Sequence, residues 1–203
     1  CTGTVLVAPG TVVVADFPRL AAEGVNTIRL PLNYRHLSPQ NNEGAYVYPT
    51  FDRMDQIIQW AHSNGMGVVL DMHVCPGGQA PENSGDPEYV WFSAANTTEY
   101  AMAMLWQAAT PYTNLTGRSP QSNQRRTADI WREVARHFRT NTAVIGYELI
   151  NEPHLPAVSW SNTLRATFRQ AIEAVRDVDS EHLVFVEGDV FAERLDGLLP
   201  PLD

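Results

Sequence analysis

The chain has 203 residues, 44% apolar and 18% charged, an ordinary globular composition long enough for one sizeable core. No apolar run reaches the roughly 18 residues that a membrane span needs, and no basic-then-apolar leader opens the sequence. With 23 acidic against 14 basic residues the formal charge is −9, which disfavours nucleic acid as a partner. The first residue is Cys1, not Met, as in a mature form or a piece of a longer chain. Two cysteines, Cys1 and Cys75, give neither a disulfide framework nor metal-ligand spacing, and leave one bridge to consider. The triplets Asn96-Thr97-Thr98 and Asn114-Leu115-Thr116 fit the glycosylation pattern and lean toward a secreted protein.

Thr4–Ala8 reads as a short strand ended by Pro9-Gly10. Apolar residues from Val13 to Ala21 fall at helical spacing, and Gly24 stops that helix. Val25–Leu30 is a short β-branched strand closed by Pro31. Arg29, near its end, reads equally as a wall residue pairing locally and as a donor inside a site. Residues 32–50 are polar and read as a loop. Phe51–Ser63 is an amphipathic helix with Met54, Ile57, Ile58 and Ala61 on one face, ended by Asn64-Gly65. Met66–His73 is the next strand. Asp71 and His73 are two apart and so point the same way. Both need partners on a buried strand, and a satisfied structural pair stands beside a role in a site.

Residues 74–122 form a long connection beginning Cys75-Pro76-Gly77-Gly78-Gln79, and connections of this length carry function or structure of their own. A helix is expected over Thr98–Ala109. Trp91 and Phe92 either stack on a sugar ring or pin the loop to the body. Arg126–Arg139 is a strong helix, with Ile130, Val134 and Phe138 repeating every four residues. Val144–Glu152 reads as a buried parallel strand, and Pro153 is expected to end it with Glu152 extended. Ser159–Asp177 is a further helix, Leu183–Glu187 a further strand, and residues 190–203 the start of another helix.

Strand and helix alternate without a break, which implies a parallel sheet with right-handed crossovers. No G-x-G-x-x-G, no G-x-x-x-x-G-K-S/T and no G-x-S-x-G is present, so neither nucleotide binding nor a serine hydrolase is supported. Successive strands instead deliver Arg29, His73, Asn151-Glu152 and Glu187 to one end. In a parallel barrel that end is where chemistry is done. Glu152 reads as a proton-transferring carboxyl and Asn151 as its substrate-orienting neighbour.

Four segments carry a family resemblance: Gly24-Val25-Asn26-Thr27-Ile28-Arg29-Leu30-Pro31, Val69–His73 with Pro76-Gly77-Gly78-Gln79, Gly146-Tyr147-Glu148-Leu149-Ile150-Asn151-Glu152-Pro153, and His182–Gly188. In order and spacing the chain resembles glycoside hydrolase family 5, the cellulase-like (β/α)8 glycosidases. The resemblance implies retaining cleavage of β-glycosidic bonds, with Glu152 as general acid/base, Asn151 on the sugar 2-hydroxyl, Arg29 orienting the nucleophile and His73 lining the cleavage subsite. Trp91 and His154 are the candidate substrate contacts. No metal or organic cofactor is implied, and the expected partner is an oligosaccharide, a polysaccharide or another glycoside.

The family's nucleophile lies at the end of strand 7. A whole barrel takes about 250 residues, so residues 1–203 are expected to form a partial catalytic domain, an incomplete TIM (β/α)8 barrel of about strands 2–5 with their helices. The nucleophile is then expected outside the chain, and the open sheet edges to favour self-association. Glu187, at strand 5, is expected to pair locally rather than to replace it. Three readings remain: part of a retaining β-glycosidase, an inactive barrel fragment that at most binds sugar, and an unrelated α/β enzyme.

Overall fold

Five short β-prone runs, each followed by an amphipathic or loop segment, assemble into one parallel sheet. In this computed structural model, residues 5–6, 12–37, 51–76, 78–79, 123–155, 161–195 and 198 are described. The strands are β1 (Val5–Leu6), β2 (Thr27–Asn33), β3 (Gly67–Val74), β4 (Val144–Glu148) and β5 (Leu183–Phe185). The helices are α1 (Asp16–Ala22), α2 (Tyr34–Leu37), α3 (Asp52–Ser63), α4 (Asn123–Phe138) and α5 (Ser161–Arg176). All pairings are parallel, and the spatial order β1-β2-β3-β4-β5 follows the chain without reversal. A doubly wound sheet would reverse at a switch point, whereas a sheet that winds in one direction is the wall of a barrel.

The two faces of this wall differ. Ile28, Leu30, Leu32, Val68, Leu70, Met72 and Tyr147 are buried on one face, in a core with Ile57, Ile58 and Ala61 of α3, Trp131 and Val134 of α4, and Phe168 of α5. The alternate positions Arg29, Pro31, Asp71, Glu148 and Phe185 lie in register across the other face. That face is polar in its middle and open at β5, where Leu183 is 57% and Phe185 37% exposed.

Several elements depart from the sequence expectations, for identifiable reasons. The strand through Arg29 runs past Pro31 to Asn33: a strand accepts proline where the ladder does not need its N–H, and among the described residues the pairing with β1 covers Ile28 and Arg29, short of Pro31. Residues 34–37 are helical and not loop. The strand before Asn151 stops at Glu148, four residues short of Glu152, and Glu152 is not extended but left-handed, with φ of 43°. The constraint from Pro153 disfavours the right-handed helical region, and in the turned geometry the Glu152 N–H donates to Glu187 Oε2. The last expected strand ends at Phe185, so Glu187 lies beyond it. No helix starts at residue 190: Val190, Phe191 and Ala192 are all left-handed in a turn closed by paired Asp189 and Arg194. The stops at Gly24 and Gly65 hold, with φ of 84° and 74°. Cys75 is a buried free thiol, not half of a bridge, and burial pushes its pKa up. Trp91, Phe92 and the helix expected over 98–109 lie outside the described residues.

At the end of the sheet away from Asn151, Asp179 ties the α5–β5 connection to β4. Its Oδ2 accepts the Tyr147 hydroxyl at 2.6 Å and meets His182 Nδ1 at 2.6 Å, while Oδ1 accepts the N–H groups of Glu181 and His182. Burial opposes the Asp179 carboxylate, but these donors outweigh it and hold its pKa below the usual range. Nearby, β4 and β5 approach so closely that a Cβ on Gly146 would lie 2.3 Å from the Leu183 carbonyl oxygen. Gly146→Ala is therefore expected to destabilise the protein by about 2 kcal/mol or more, since a main-chain atom must yield; urea unfolding measures it, and a loss under about 0.5 kcal/mol would contradict this packing.

Candidate active site

The rim of the sheet is built around one cation. Arg29 projects from β2 between three carboxylates from three other places in the chain. Its Nε donates to Glu148 Oε2 at 2.7 Å and its Nη2 to Glu148 Oε1 at 2.5 Å, a two-pronged pair with the last residue of β4. Nη1 lies 3.0 Å from Asp71 Oδ2 on β3, and Nη2 lies 3.5 Å from Glu187 Oε1. Nη2 also donates to Asn151 Oδ1 at 2.7 Å. A guanidinium only donates, so the Asn151 amide must turn its oxygen to Arg29. Its Nδ2 donor is then buried and has no partner among the described residues.

His73 follows from the same arrangement. Its Nδ1 is 2.9 Å from Asp71 Oδ2, as expected of residues two apart on a strand, and the ring is partly exposed at the rim. Asp71 is fully buried and thus serves two partners, Arg29 and His73. Burial raises its pKa, and those two partners offset only part of that rise. For Glu148 burial acts in the same direction but loses: the hydrogen bonds from Arg29 and Glu187, with the Arg29 charge, hold it below the ordinary carboxylate range. Glu187 goes the other way. Burial and its hydrogen bond with Glu148 push it up to about 8, against a partial offset from the Glu152 N–H. One proton is thus held between two neighbouring carboxylates, with Glu187 its bearer.

Glu152 sits at the outer edge, exposed to solvent, and its main-chain N–H donates to Glu187 Oε2 at 2.7 Å. His154 is half-buried, stacked edge-on against Phe191 at 4.7 Å, with Nδ1 buried and lacking a partner among the described residues. Structure brings together Arg29, His73 and Asn151, and places Glu152 beside them through Glu187. Trp91 lies outside the described residues. Among the described residues no cluster of histidine, cysteine and carboxylates is arranged to hold a metal. The cation at the centre of the carboxylates is Arg29 itself.

Two residues were overlooked by the sequence reading. Glu148 stands inside an apolar run, and a carboxylate there demands a buried cation; Arg29 was the available one. Gln79, the last residue of the Pro-Gly-Gly-Gln turn, is fully buried. Its Nε2 donates to the carbonyls of His73 and Asn151 at 2.8 and 2.9 Å, and its Oε1 accepts the Cys75 N–H. Its own carbonyl accepts the His154 N–H at 3.0 Å. This one amide side chain fastens the end of β3 to the Asn-Glu-Pro turn. The Asn151 N–H adds a bond to the Met72 carbonyl, and Trp131 Nε1 holds the Leu149 carbonyl at 2.9 Å from the helix side.

This arrangement has counterparts among known proteins. The family described as cellulase (glycosyl hydrolase family 5) matches residues 15–201. The chain belongs to that family. A beta-xylosidase of Phanerodontia chrysosporium is 32% identical over 178 residues, covering 88% of this chain and 32% of that protein. A protein of Aspergillus fumigatus named "Probable glucan 1,3-beta-glucosidase A" is 27% identical over 185 residues, covering 90% of this chain and 38% of its own. The structure of endo-glycoceramidase II from a Rhodococcus species, in a cellobiose-like imidazole complex, superimposes with a TM-score of 0.69 at 25% identity, covering 93% of this chain and 48% of that one. The chain thus spans about a third of the length of these curated relatives and about half of the solved structure. Its five-stranded sheet is accordingly a partial family 5 barrel, and the first strand, Val5–Leu6, is present in addition to the four expected with assurance from the sequence.

Two measurements probe the electrostatics of this family 5 rim. Arg29→Met leaves Asp71 and Glu148 without their cation and is expected to cost about 3–5 kcal/mol in urea unfolding at neutral pH, with a smaller loss at acidic pH as the carboxyls take up protons. Glu187 binds its proton more tightly folded than unfolded. Its contribution to stability is therefore complete below its ordinary value of 4.5 and is lost as pH rises toward about 8. Unfolding free energy is expected to fall across that window, and Glu187→Gln, which cannot titrate, to flatten the fall. An unchanged slope in the variant would exclude Glu187 as the protonated partner.

Proposed function

We propose that this chain is the acid/base half of a secreted retaining β-glycosidase. The observation that carries this reading is the junction of Arg29, Asn151 and the Asn-Glu-Pro turn at the carboxyl end of a family 5 sheet. Retaining hydrolysis uses two carboxyls about 5–5.5 Å apart. One protonates the leaving oxygen and later activates water, and the other attacks the anomeric carbon. In this reading Glu152 is the first: it is the solvent-facing carboxyl of the rim and is not engaged by Arg29. Asn151 supplies the donor to the sugar 2-hydroxyl in this reading, a role supported by its Nδ2 having no partner among the described residues. His73, half-exposed and fixed through Nδ1 by Asp71, lines the subsite with its other ring nitrogen. His154 and Trp91 are assigned to substrate contact.

The nucleophile is assigned to a carboxylate beyond these 203 residues. Glu187 does not suit that role. A nucleophile must be ionised, and Glu187 holds a proton up to about pH 8 while both its oxygens are engaged. Arg29 retains its charge and would favour an ionised carboxylate brought to the open side of the sheet. Its raised pKa reflects Glu148 and its other carboxylate neighbours overcoming burial, the largest opposing influence. The substrate class is a β-glycoside of glucose or xylose, in line with the names of the xylosidase and glucosidase relatives. The exposed Leu183 and Phe185 support a β5 edge that pairs with the remaining barrel strands, or with a second copy when the 203 residues stand alone.

The complete protein, assayed on aryl β-glucosides, aryl β-xylosides and β-glucans, is expected to hydrolyse at least one with retention of anomeric configuration, followed by NMR of the first-formed sugar. Glu152→Gln is expected to lower kcat by about 10²–10⁴-fold on unactivated substrates, and residues 1–203 alone to show no turnover. Turnover by residues 1–203 that Glu152→Gln abolishes would place both carboxyls inside this chain and overturn the assignment.

A further inference from the structure

Three features of the rim stand outside the roles assigned above. Glu187 belongs to no strand, following β5 by two residues. Its carboxyl is nevertheless held at both oxygens: Oε2 accepts the Glu152 N–H at 2.7 Å, and Oε1 lies 3.5 Å from Arg29 Nη2. Glu152, in turn, holds a left-handed backbone with φ of 43°, which costs a non-glycine residue free energy and persists only where the surroundings enforce it. Among the described residues, the Glu187 carboxyl is the acceptor that meets the Glu152 N–H.

We infer that Glu187 is a positioning residue for the acid/base Glu152, fixing the left-handed turn through its main-chain N–H and thereby aiming the Glu152 carboxyl across the rim. The inference rests on the reading of Glu152 given above. The physical route is short. The backbone of Glu152 is fastened on its N–H side by Glu187 and followed by the rigid Pro153 ring. Those two constraints set the Cα–Cβ direction, and hence the place from which the carboxyl reaches a glycosidic oxygen. Arg29 and Glu148 anchor the far side of the Glu187 carboxyl, so the β2 cation, the β4 carboxylate and the acid/base backbone form one continuous chain of contacts. Misplacement of a catalytic group by about 1 Å costs on the order of 10²-fold in rate, so the chain of contacts is consequential even though Glu187 touches no substrate.

Gln at position 187 reproduces the protonated carboxyl: its carbonyl accepts the Glu152 N–H and its amide donates to Glu148. Ala removes both. In the complete protein, kcat/KM is compared for phenyl and 2,4-dinitrophenyl β-glycosides of the sugar it turns over, the second needing little protonation of its leaving group. Glu187→Ala is expected to lower kcat/KM for the phenyl glycoside by about 10²-fold, with less than about a threefold change for the dinitrophenyl one, and Glu187→Gln to restore most of the loss. Equal losses on both substrates, or no loss, overturn the inference, because a merely structural role does not distinguish leaving groups. Glu152→Ala in the same assay separates the two claims: if it shows no leaving-group dependence, the acid/base reading itself fails. A readout independent of turnover is the Glu152 amide proton in the 15N-glutamate-labelled protein. It is expected to move upfield in Glu187→Ala and to stay near its original position in Glu187→Gln; an unmoved resonance in Glu187→Ala overturns the inference.

Discussion

The guanidinium of Arg29 is the constraint on which the rest of the rim depends. Three carboxylates, from β3, from the end of β4 and from beyond β5, converge on a single cation, and their mutual repulsion disfavours ionising all three. The resolution is unequal. Glu148 takes the two-pronged bond and is held ionised, while Glu187, at the longest distance, keeps a proton. The two Glu187 oxygens then face different partners: Oε1 lies toward Arg29 and Oε2 accepts the Glu152 N–H. The same cation orients the Asn151 amide. Charge balance in the buried layer thereby shapes the solvent-facing layer above it.

Much of this was legible in the sequence. The alternation of strands and helices implied a parallel sheet, and the four family segments placed Arg29, His73 and Asn151 at one end of it. The Asp71–His73 pairing followed from strand periodicity alone. What escaped was set by contacts between distant segments. Glu148 and Arg29 are 119 residues apart, and although a carboxylate inside an apolar run calls for a cation, nothing local to Glu148 says which one. Gln79 looked like part of a turn, yet its side chain completes main-chain hydrogen bonding for the end of β3 and for the Asn-Glu-Pro turn.

The misjudged boundaries have a common origin. The strand before Asn151 was expected to run to Glu152 because its residues are apolar and β-prone, but Leu149 and Ile150 are buried for another reason. Their segment keeps only single bonds to the strands on either side, from the Leu149 N–H to the Phe185 carbonyl and from the Asn151 N–H to the Met72 carbonyl, while the Leu149 carbonyl accepts from Trp131. Burial and strand pairing produce similar sequence signals. Likewise the turn after Asp189 has helix-compatible residues, but its closure on Arg194 imposes left-handed geometry on three of them.

The left-handed backbone at Glu152 has a consequence for how this site can change over time. Glycine is the residue that adopts such a φ without strain, so a replacement that abolishes the carboxyl also relaxes the fold. On the acid/base reading proposed for Glu152, stability and chemistry pull in opposite directions at this one codon, and drift toward a sturdier protein leads away from the carboxyl. A descendant with glycine before Pro153 would adopt the same turn without strain and lack the carboxyl.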